Sequence, residues 1–566
     1  PAKCLPRSAL LLFAILAGAC ILTLGGHLYS PDEEILFRVT RSVARLEGFA
    51  IEPIAAGFGT RPRSEMDPET GEVVAAPRED GRQYAQYGVG QPILAAPLYW
   101  LGQGLKMIGE GDGWFELSRR VRTTEAIAMV DETVSLEEAR ARGREYAERL
   151  PMGLFNVIVT ALTGVVLLLI IVEATGDLTA GFVTGLLWGL GSVMWFYSRT
   201  FFTEPLAGLC VLVAIYGMMR SFRPGLGKTA ANSWLIIAGL ALGYGCLVRL
   251  DTVIFCPALG LFAMFGHHDH VRPGDAHTWK AALLEDLRTP NPWLRLLLLA
   301  APVMAAGGLI ALMNTLWYGS PLSSGYSDQP EGIAFSTPVL AGLYGFTASI
   351  GKGMFFFSPV LVLMFVGVRP LLRRRAVFGV ASLLAALMFL LVMSKWQNWA
   401  GGWCWGPRHI LQLHALLILP VGFWLAEGFT AARRKVVLAL LVVGVAVQVY
   451  GCSQSFFEYY HLYFRAPESP NALIVGDAEN RSVVYAPQVG GLYDTRTQRH
   501  VQIVLHDAQS NQAIRPLSPV EFLRAPISDS IYQPQNSQWT RYTEMYRDPG
   551  VHDFFWLHLV DWLRES

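Results

Sequence analysis

Apolar runs recur from one end of this chain to the other, and most approach the ~20 residues that a helix needs to cross the hydrocarbon core of a bilayer. Reading them by periodicity and length gives candidate spans near 8–28, 152–172, 178–197, 204–220, 233–250, 252–266, 294–317, 354–369, 376–394, 410–427 and 435–451, about eleven in all. Of 566 residues, 52% are hydrophobic and only 16% charged, against about 25% charged in soluble domains. An all-α polytopic membrane protein is therefore the expected fold class. A formal net charge of zero gives no electrostatic footprint for nucleic acid. The seven cysteines are scattered without a CxxC pair, so neither a zinc site nor a disulfide framework is expected; Cys210, Cys246 and Cys256 lie in apolar runs as small packing residues.

The stretch 91–109 is apolar but interrupted by Pro92, Pro97 and several glycines, and is expected as an interfacial helix, not a span. The first apolar segment follows Lys3 and Arg7 and is expected as an uncleaved helix because many spans follow it. With the N-terminus in the cytoplasm, the inner loops carry Arg220, Arg223 and Lys228, then Arg272, Lys280 and Arg288, then Arg369 and Arg373 to Arg375, then Arg433 to Lys435. The short outer loops hold isolated cations: Arg199, Arg249, Lys352, Lys395 and Arg408. This alternation follows the positive-inside rule. It divides the chain into a transmembrane domain, 1–451, containing a large extracytoplasmic first loop, 29–151, and an extracytoplasmic C-terminal region, 452–566. In the first loop, Ser135 and Glu138 form a capping box that opens a charged, solvated helix. The terminal "HDFFWLHLVDWL", 552–563, is too short to span and suits a position on the membrane surface.

Two motifs are bland on inspection. "GLGKT" at 225–229 lacks the first glycine of a phosphate-binding loop, since that position is Phe222. "HHDH" at 267–270 offers metal-ligand types but lies in a charged inner loop, where a solvated role is expected.

The polar residues that remain gather on the outer face. "SPDEE" at 30–34 follows the first span. Ser30 can cap a helix, Pro31 suits its first position and Glu33 completes a capping box, while the helix dipole favours ionised acids there. An ionised carboxylate is also what a general base requires, so one acid can cap while another reacts. Glu204, behind Thr203 as N-cap, opens a later span on the same face. Lys352 and Arg408, each beside glycines, lie just before apolar runs and together suit a phosphate clamp. Arg249 and Asp251 are expected to pair with each other, and Trp396, Trp399, Trp403 and Trp405 to form an interfacial aromatic belt.

In this order and on this face, "SPDEE", "YGVGQPILAAPLYWLG" at 87–102, "TEPL", "LVRLD", "WYGSPLSSGY" at 317–326, "GKGMFFFSP" at 351–359 and "WAGGWCWGPRH" at 399–409 resemble the GT-C fold glycosyltransferases that use polyprenyl-phosphate sugars. These include the protein O-mannosyltransferases and the lipid A aminoarabinose transferases, and the resemblance covers about residues 8–450. It implies a GT-C-like bundle in a bacterial inner membrane. It implies an inverting transfer from a polyprenyl-phosphate-linked sugar donor to a hydroxyl of an extracytoplasmic acceptor, whether glycan, lipid or protein. Asp32 would be the base, with Glu33 and Glu204 as further catalytic acids. Lys352, Arg408, His409, Arg249, Gln91, Tyr87 and Tyr326 would bind the donor's phosphate and sugar. A divalent metal is compatible with the resemblance but not required by it. Three departures stand out: Gln91 replaces a lysine of the aminoarabinose transferases, the second acid is Glu33 where aspartate is usual, and the insertion 110–150 has no counterpart. The rival readings are a transporter or lipid-linked-sugar flippase, and an inactive relative. A transporter predicts charges or broken helices at the midplane, and internal repeats that this chain lacks.

Overall fold

The computed structural model describes residues 4–54, 59–121, 135–270, 282–327, 335–402, 404–456 and 552–565, together with short strands between 483 and 516. Among these residues, nine helical stretches are long and apolar enough to cross a membrane: Leu5–Leu22, Leu136–Thr175, Glu204–Ser221, Lys228–Val248, Leu250–Asp269, Pro290–Tyr318, Ala376–Lys395, Arg408–Leu425 and Ala431–Cys452. Two of the eleven expected spans fall short: Leu178–Gly191 has 14 residues and Met364–Arg374 has 11. The first leaves the helix at Ser192 (φ −123, ψ 165) and the second is preceded by a break at Ser358 (φ −142, ψ 69), with Pro359 behind it.

The two breaks meet. Val193 N–H donates to Ser358 Oγ at 2.9 Å, and Gln448 Nε2 donates to Phe357 O at 2.7 Å. Away from water, backbone groups freed by a break need such partners. Both breaks lie toward the ends that the charge pattern assigns to the outer face, not at mid-span. Elsewhere small residues let helices touch. A Cβ at Gly239 would stand 2.4 Å from Leu299 O, so only glycine lets Lys228–Val248 lie this close to Pro290–Tyr318.

The first loop supplies a platform on this bundle. The stretch expected as interfacial is a helix, Gly90–Leu105, that packs Ala95 and Tyr99 against Leu36 and Phe37 of the helix Pro31–Ala44. Its other side leaves Leu94, Trp100 and Leu101 exposed. Ser135 caps Leu136–Arg149 by accepting from Glu138 N–H at 3.2 Å. That helix is not merely solvated, because its last turn turns inward. Glu148 is buried against Arg45, Lys106 and Tyr99, and Arg149 reaches Glu34. Sheet is confined to small antiparallel pieces, such as Ala50–Ile51, Gln83–Ala85 and Thr60–Arg61 in that spatial order. The terminal helix Phe555–Glu565 docks Phe555, Leu559 and Trp562 against the end of Leu5–Leu22 and the helix Asp112–Arg120, and leaves Trp556, Leu557 and Leu563 exposed.

Candidate active site

Three consecutive acids take three different environments. Ser30 Oγ accepts from Glu33 N–H at 3.4 Å, so the helix cap forms. The reciprocal half of the capping box does not. The Glu33 carboxylate accepts instead from Tyr29 N–H and, at 3.0 Å, from Phe201 N–H, and so ties two loops together. Burial pushes Glu33 up to about 7 against the opposing pull of those two backbone donors. Glu34 faces the other way. Arg38 Nε and Arg149 Nε each stand 2.9 Å from its oxygens. Burial alone would raise Glu34, but Arg149 and then Arg38 hold it at about 2. Asp32 alone enters a polar cluster. It pairs with Arg408 Nη1 at 2.8 Å and accepts from Tyr87 Oη–H at 2.7 Å, and its side chain keeps 17% of its exposure.

The cluster continues behind Arg408. Arg408 Nε donates at 3.0 Å to Oε1 of Glu204, the wholly buried first residue of Glu204–Ser221. Arg249 Nη1 donates to the same oxygen at 2.9 Å, and Arg249 Nη2 meets Asp251 at 2.8 Å. Gln412 Nε2 closes the chain of contacts on Asp251 Oδ1 at 2.9 Å. Arg249 and Asp251 do pair, but as part of this cluster and not as a private pair. Thr203 occupies the N-cap position in αR geometry (φ −85, ψ −17), so its hydroxyl cannot cap; it accepts from Arg249 Nη1 at 3.3 Å. The Arg408 guanidinium also lies 3.6 Å from the centroid of the Phe202 ring. Three carboxylates thus face two guanidiniums, delivered by four segments far apart in sequence.

Other expected residues fall around it. The Tyr326 ring meets Tyr87 edge-on at 6.5 Å. His409 is buried against Trp396 at 4.6 Å, with Nδ1 4.0 Å from Glu204 Oε1. Neither His409 ring nitrogen has a hydrogen-bond partner among the described residues, and neither does Glu204 Oε2. Buried polar atoms without partners cost free energy, and these three lie together beside the acid–arginine cluster. Lys352 departs from the expected clamp. Its buried ammonium donates to Cys404 O at 2.9 Å and lies 3.0 Å from Cys404 Sγ, so it engages Cys404 in place of an acid of the cluster. Burial lowers its pKa. Gln91 is wholly buried and donates to Phe201 O at 2.6 Å, while its Oε1 has no hydrogen-bond partner among the described residues.

The tryptophan belt is also corrected. Trp405 is fully buried on Phe357, Trp399 packs on Phe346, and Trp396 covers His409, because the 395–409 loop folds inward. Trp403 lies outside the described residues. "HHDH" is no solvated loop either. Asp269 is buried and caps Ala376–Lys395 by accepting from Val377 N–H at 2.8 Å, while His267 and His268 converge on Asp286 Oδ2 at 2.7 and 2.6 Å. These three could group around a cation by distance. Arg295 Nη1, however, lies 2.8 Å from His267 Nδ1, which keeps the ring proton on Nε2 facing Asp286. The cluster is thereby satisfied by its own protons. Sequence reading placed Arg199 only among the isolated outer cations and gave Asp553 no role; the two pair, with Arg199 fully buried. No local pattern linked the two, which stand 354 residues apart in the sequence.

Residues 148–285 match the family model for dolichyl-phosphate-mannose-protein mannosyltransferases. Curated proteins give no match. Among solved structures, the chain is similar to ArnT from Cupriavidus metallidurans bound to undecaprenyl phosphate, at 12% identity over 81% of this chain and 66% of that one, with a TM-score of 0.44. It is likewise similar to the apo oligosaccharyltransferase of Archaeoglobus fulgidus, at 12% identity over 82% of this chain and 58% of that one, with a TM-score of 0.42. The chain therefore spans less than two thirds of the length of these solved structures. It is a multi-pass, α-helical membrane protein whose residues 148–285 match the dolichyl-phosphate-mannose-protein mannosyltransferase family, in line with the resemblance its motifs carry.

Proposed function

We propose that this protein is an inverting glycosyltransferase that moves a sugar from a polyprenyl-phosphate donor to a hydroxyl of an extracytoplasmic acceptor. The observation that carries the reading is the setting of Asp32: a partly exposed carboxylate, held at 2.8 Å by Arg408 and at 2.7 Å by Tyr87, with its two neighbouring acids committed elsewhere. The family match over 148–285 supports the reaction class.

In the reaction, Asp32 takes the proton of the acceptor hydroxyl as its oxygen bonds to the anomeric carbon. The bond from that carbon to the phosphate oxygen breaks, and polyprenyl phosphate leaves with the electron pair. A phosphate leaving group needs charge stabilisation more than protonation, and the fork of Arg408 supplies it. One displacement at one carbon inverts its configuration. Arg408 already holds Asp32 and Glu204, so an incoming phosphate competes with Asp32 for the guanidinium and frees the base when the donor is seated. Glu204 Oε2 and His409 accommodate a sugar hydroxyl. The insertion 110–150 and the tail from 452 would select the acceptor; exchanging either and finding acceptor choice unchanged refutes that role.

The test is release of polyprenyl phosphate from a panel of polyprenyl-phosphate sugars in nanodiscs, with envelope extract as acceptor. Wild type should release it. Asp32→Asn, which preserves shape, should lose roughly 10²–10⁴-fold in rate while remaining folded. Equal release by both proteins, or none from any donor by folded wild type, overturns the reading.

A further inference from the structure

The guanidinium of Arg199 is fully buried and every nitrogen on it is engaged. Nε donates to Tyr29 Oη at 2.5 Å, Nη1 donates to Cys452 O, and Nη2 donates to both the carboxylate and, at 3.0 Å, the backbone carbonyl of Asp553. Asp553 is in turn fully occupied. Its Oδ2 accepts from Tyr29 Oη–H at 3.0 Å, its Oδ1 meets His27 Nε2 at 2.8 Å, and its N–H donates to Ser453 O at 3.0 Å. Two residues on, Phe555 N–H donates to Leu24 O at 2.8 Å. The Asp553 carboxylate thus joins the exit of the first span to the 199–204 loop, and its backbone N–H adds the end of Ala431–Cys452.

Both loops that it joins lead straight to the acids. Tyr29 and Phe201 supply the two N–H groups on Glu33, one residue from Asp32. Phe202 lies under Arg408, and Glu204 follows two residues later. We infer that Asp553 is a positioning residue of the acid–arginine site: its carboxylate, docked on Arg199, sets the spacing between Asp32 and Glu204. Its effect on turnover rests on the glycosyltransferase reading; its effect on the two loops does not. A rigid five-donor fork defines geometry better than a point charge, and buried ion pairs contribute more to specific placement than to net stability. Misplacement of a reacting group by 1 Å costs as much as ~10²-fold in rate.

The test uses the full chain in nanodiscs and reads two quantities, amide hydrogen exchange and turnover. Asp553→Asn should speed exchange at Tyr29, Glu33 and Phe201 by roughly tenfold or more, with the membrane helices unchanged. It should lower kcat by a similar factor and leave the donor KM within a few-fold. Tyr29→Phe, which removes only the shared hydroxyl and keeps the ring against Phe456, should give the same pattern more weakly. Loop exchange that is faster in the variant, with no turnover by either protein, still supports Asp553 as the residue that positions the two loops and sinks the glycosyltransferase reading instead. Unchanged exchange at these amides, exchange rising uniformly through the membrane helices, or faster loop exchange with unaltered kcat each overturns the inference.

Discussion

Glu204→Gln changes one atom in the most buried part of the site and isolates the role of its charge. The carboxylate is wholly buried, with Oε1 shared by Arg408 at 3.0 Å and Arg249 at 2.9 Å. Hydrogen bonds to charged groups contribute about 1.5–3 kcal/mol each, and neutral ones about 1. In Glu204→Gln both guanidiniums stay charged and can still donate to the amide oxygen, so the loss is of buried countercharge between two cations, which costs about 3 kcal/mol. Asp32→Asn is the natural control. Its side chain keeps 17% exposure and loses one ionic contact, to Arg408, so its cost is about 1 kcal/mol. Thermal unfolding in nanodiscs, followed by tryptophan fluorescence, should place Glu204→Gln well below wild type and Asp32→Asn close to it. Equal shifts for the two acid variants would refute the reasoning that Glu204 is the electrostatic hub.

Two further expectations follow from the same geometry. Arg408→Lys keeps the charge but cannot hold Asp32 and Glu204 with one planar fork, so binding of polyprenyl phosphate should weaken by roughly 10–10²-fold, read by titration in nanodiscs; unchanged affinity counts against Arg408 as the phosphate ligand. Glu34 is depressed from 4.5 to about 2 by Arg149 and Arg38, so its stabilisation, about 3 kcal/mol, is present above the unfolded value and lost as pH falls through the folded one. Glu34→Gln should therefore unfold well below wild type at neutral pH, with the gap closing as the pH is lowered toward about 3; a gap independent of pH would show that the ion pairs are not its cause.

The legible part of the site was which charged residues gather there. "SPDEE", "TEPL" and "WGPRH" each put a charged residue at the mouth of an apolar run, and Asp32, Glu204 and Arg408 do meet. What could not be read was which acid faced where. A helical start places consecutive side chains about 100° apart, so adjacent acids must diverge, but only the neighbouring segments decide that Glu33 meets Phe201 N–H and Glu34 meets Arg149. Lys352 looked like Arg408 by its glycines and sidedness, yet the inward fold of the 395–409 loop claims it for Cys404.

Hydropathy and charge by themselves determined a helical bundle, its candidate spans and the face on which polar residues collect. That is because the cost of exposing backbone or charge to hydrocarbon acts on each segment separately and is written in its own composition. Only the tertiary structure decided that Leu178–Gly191 stops at Ser192, since its break needs Ser358 from another segment as a partner. Only the tertiary structure brought Asp553 to Arg199 across the length of the chain. A buried charge is tolerable only beside its counter-charge, and no local pattern says where in the sequence that counter-charge will come from.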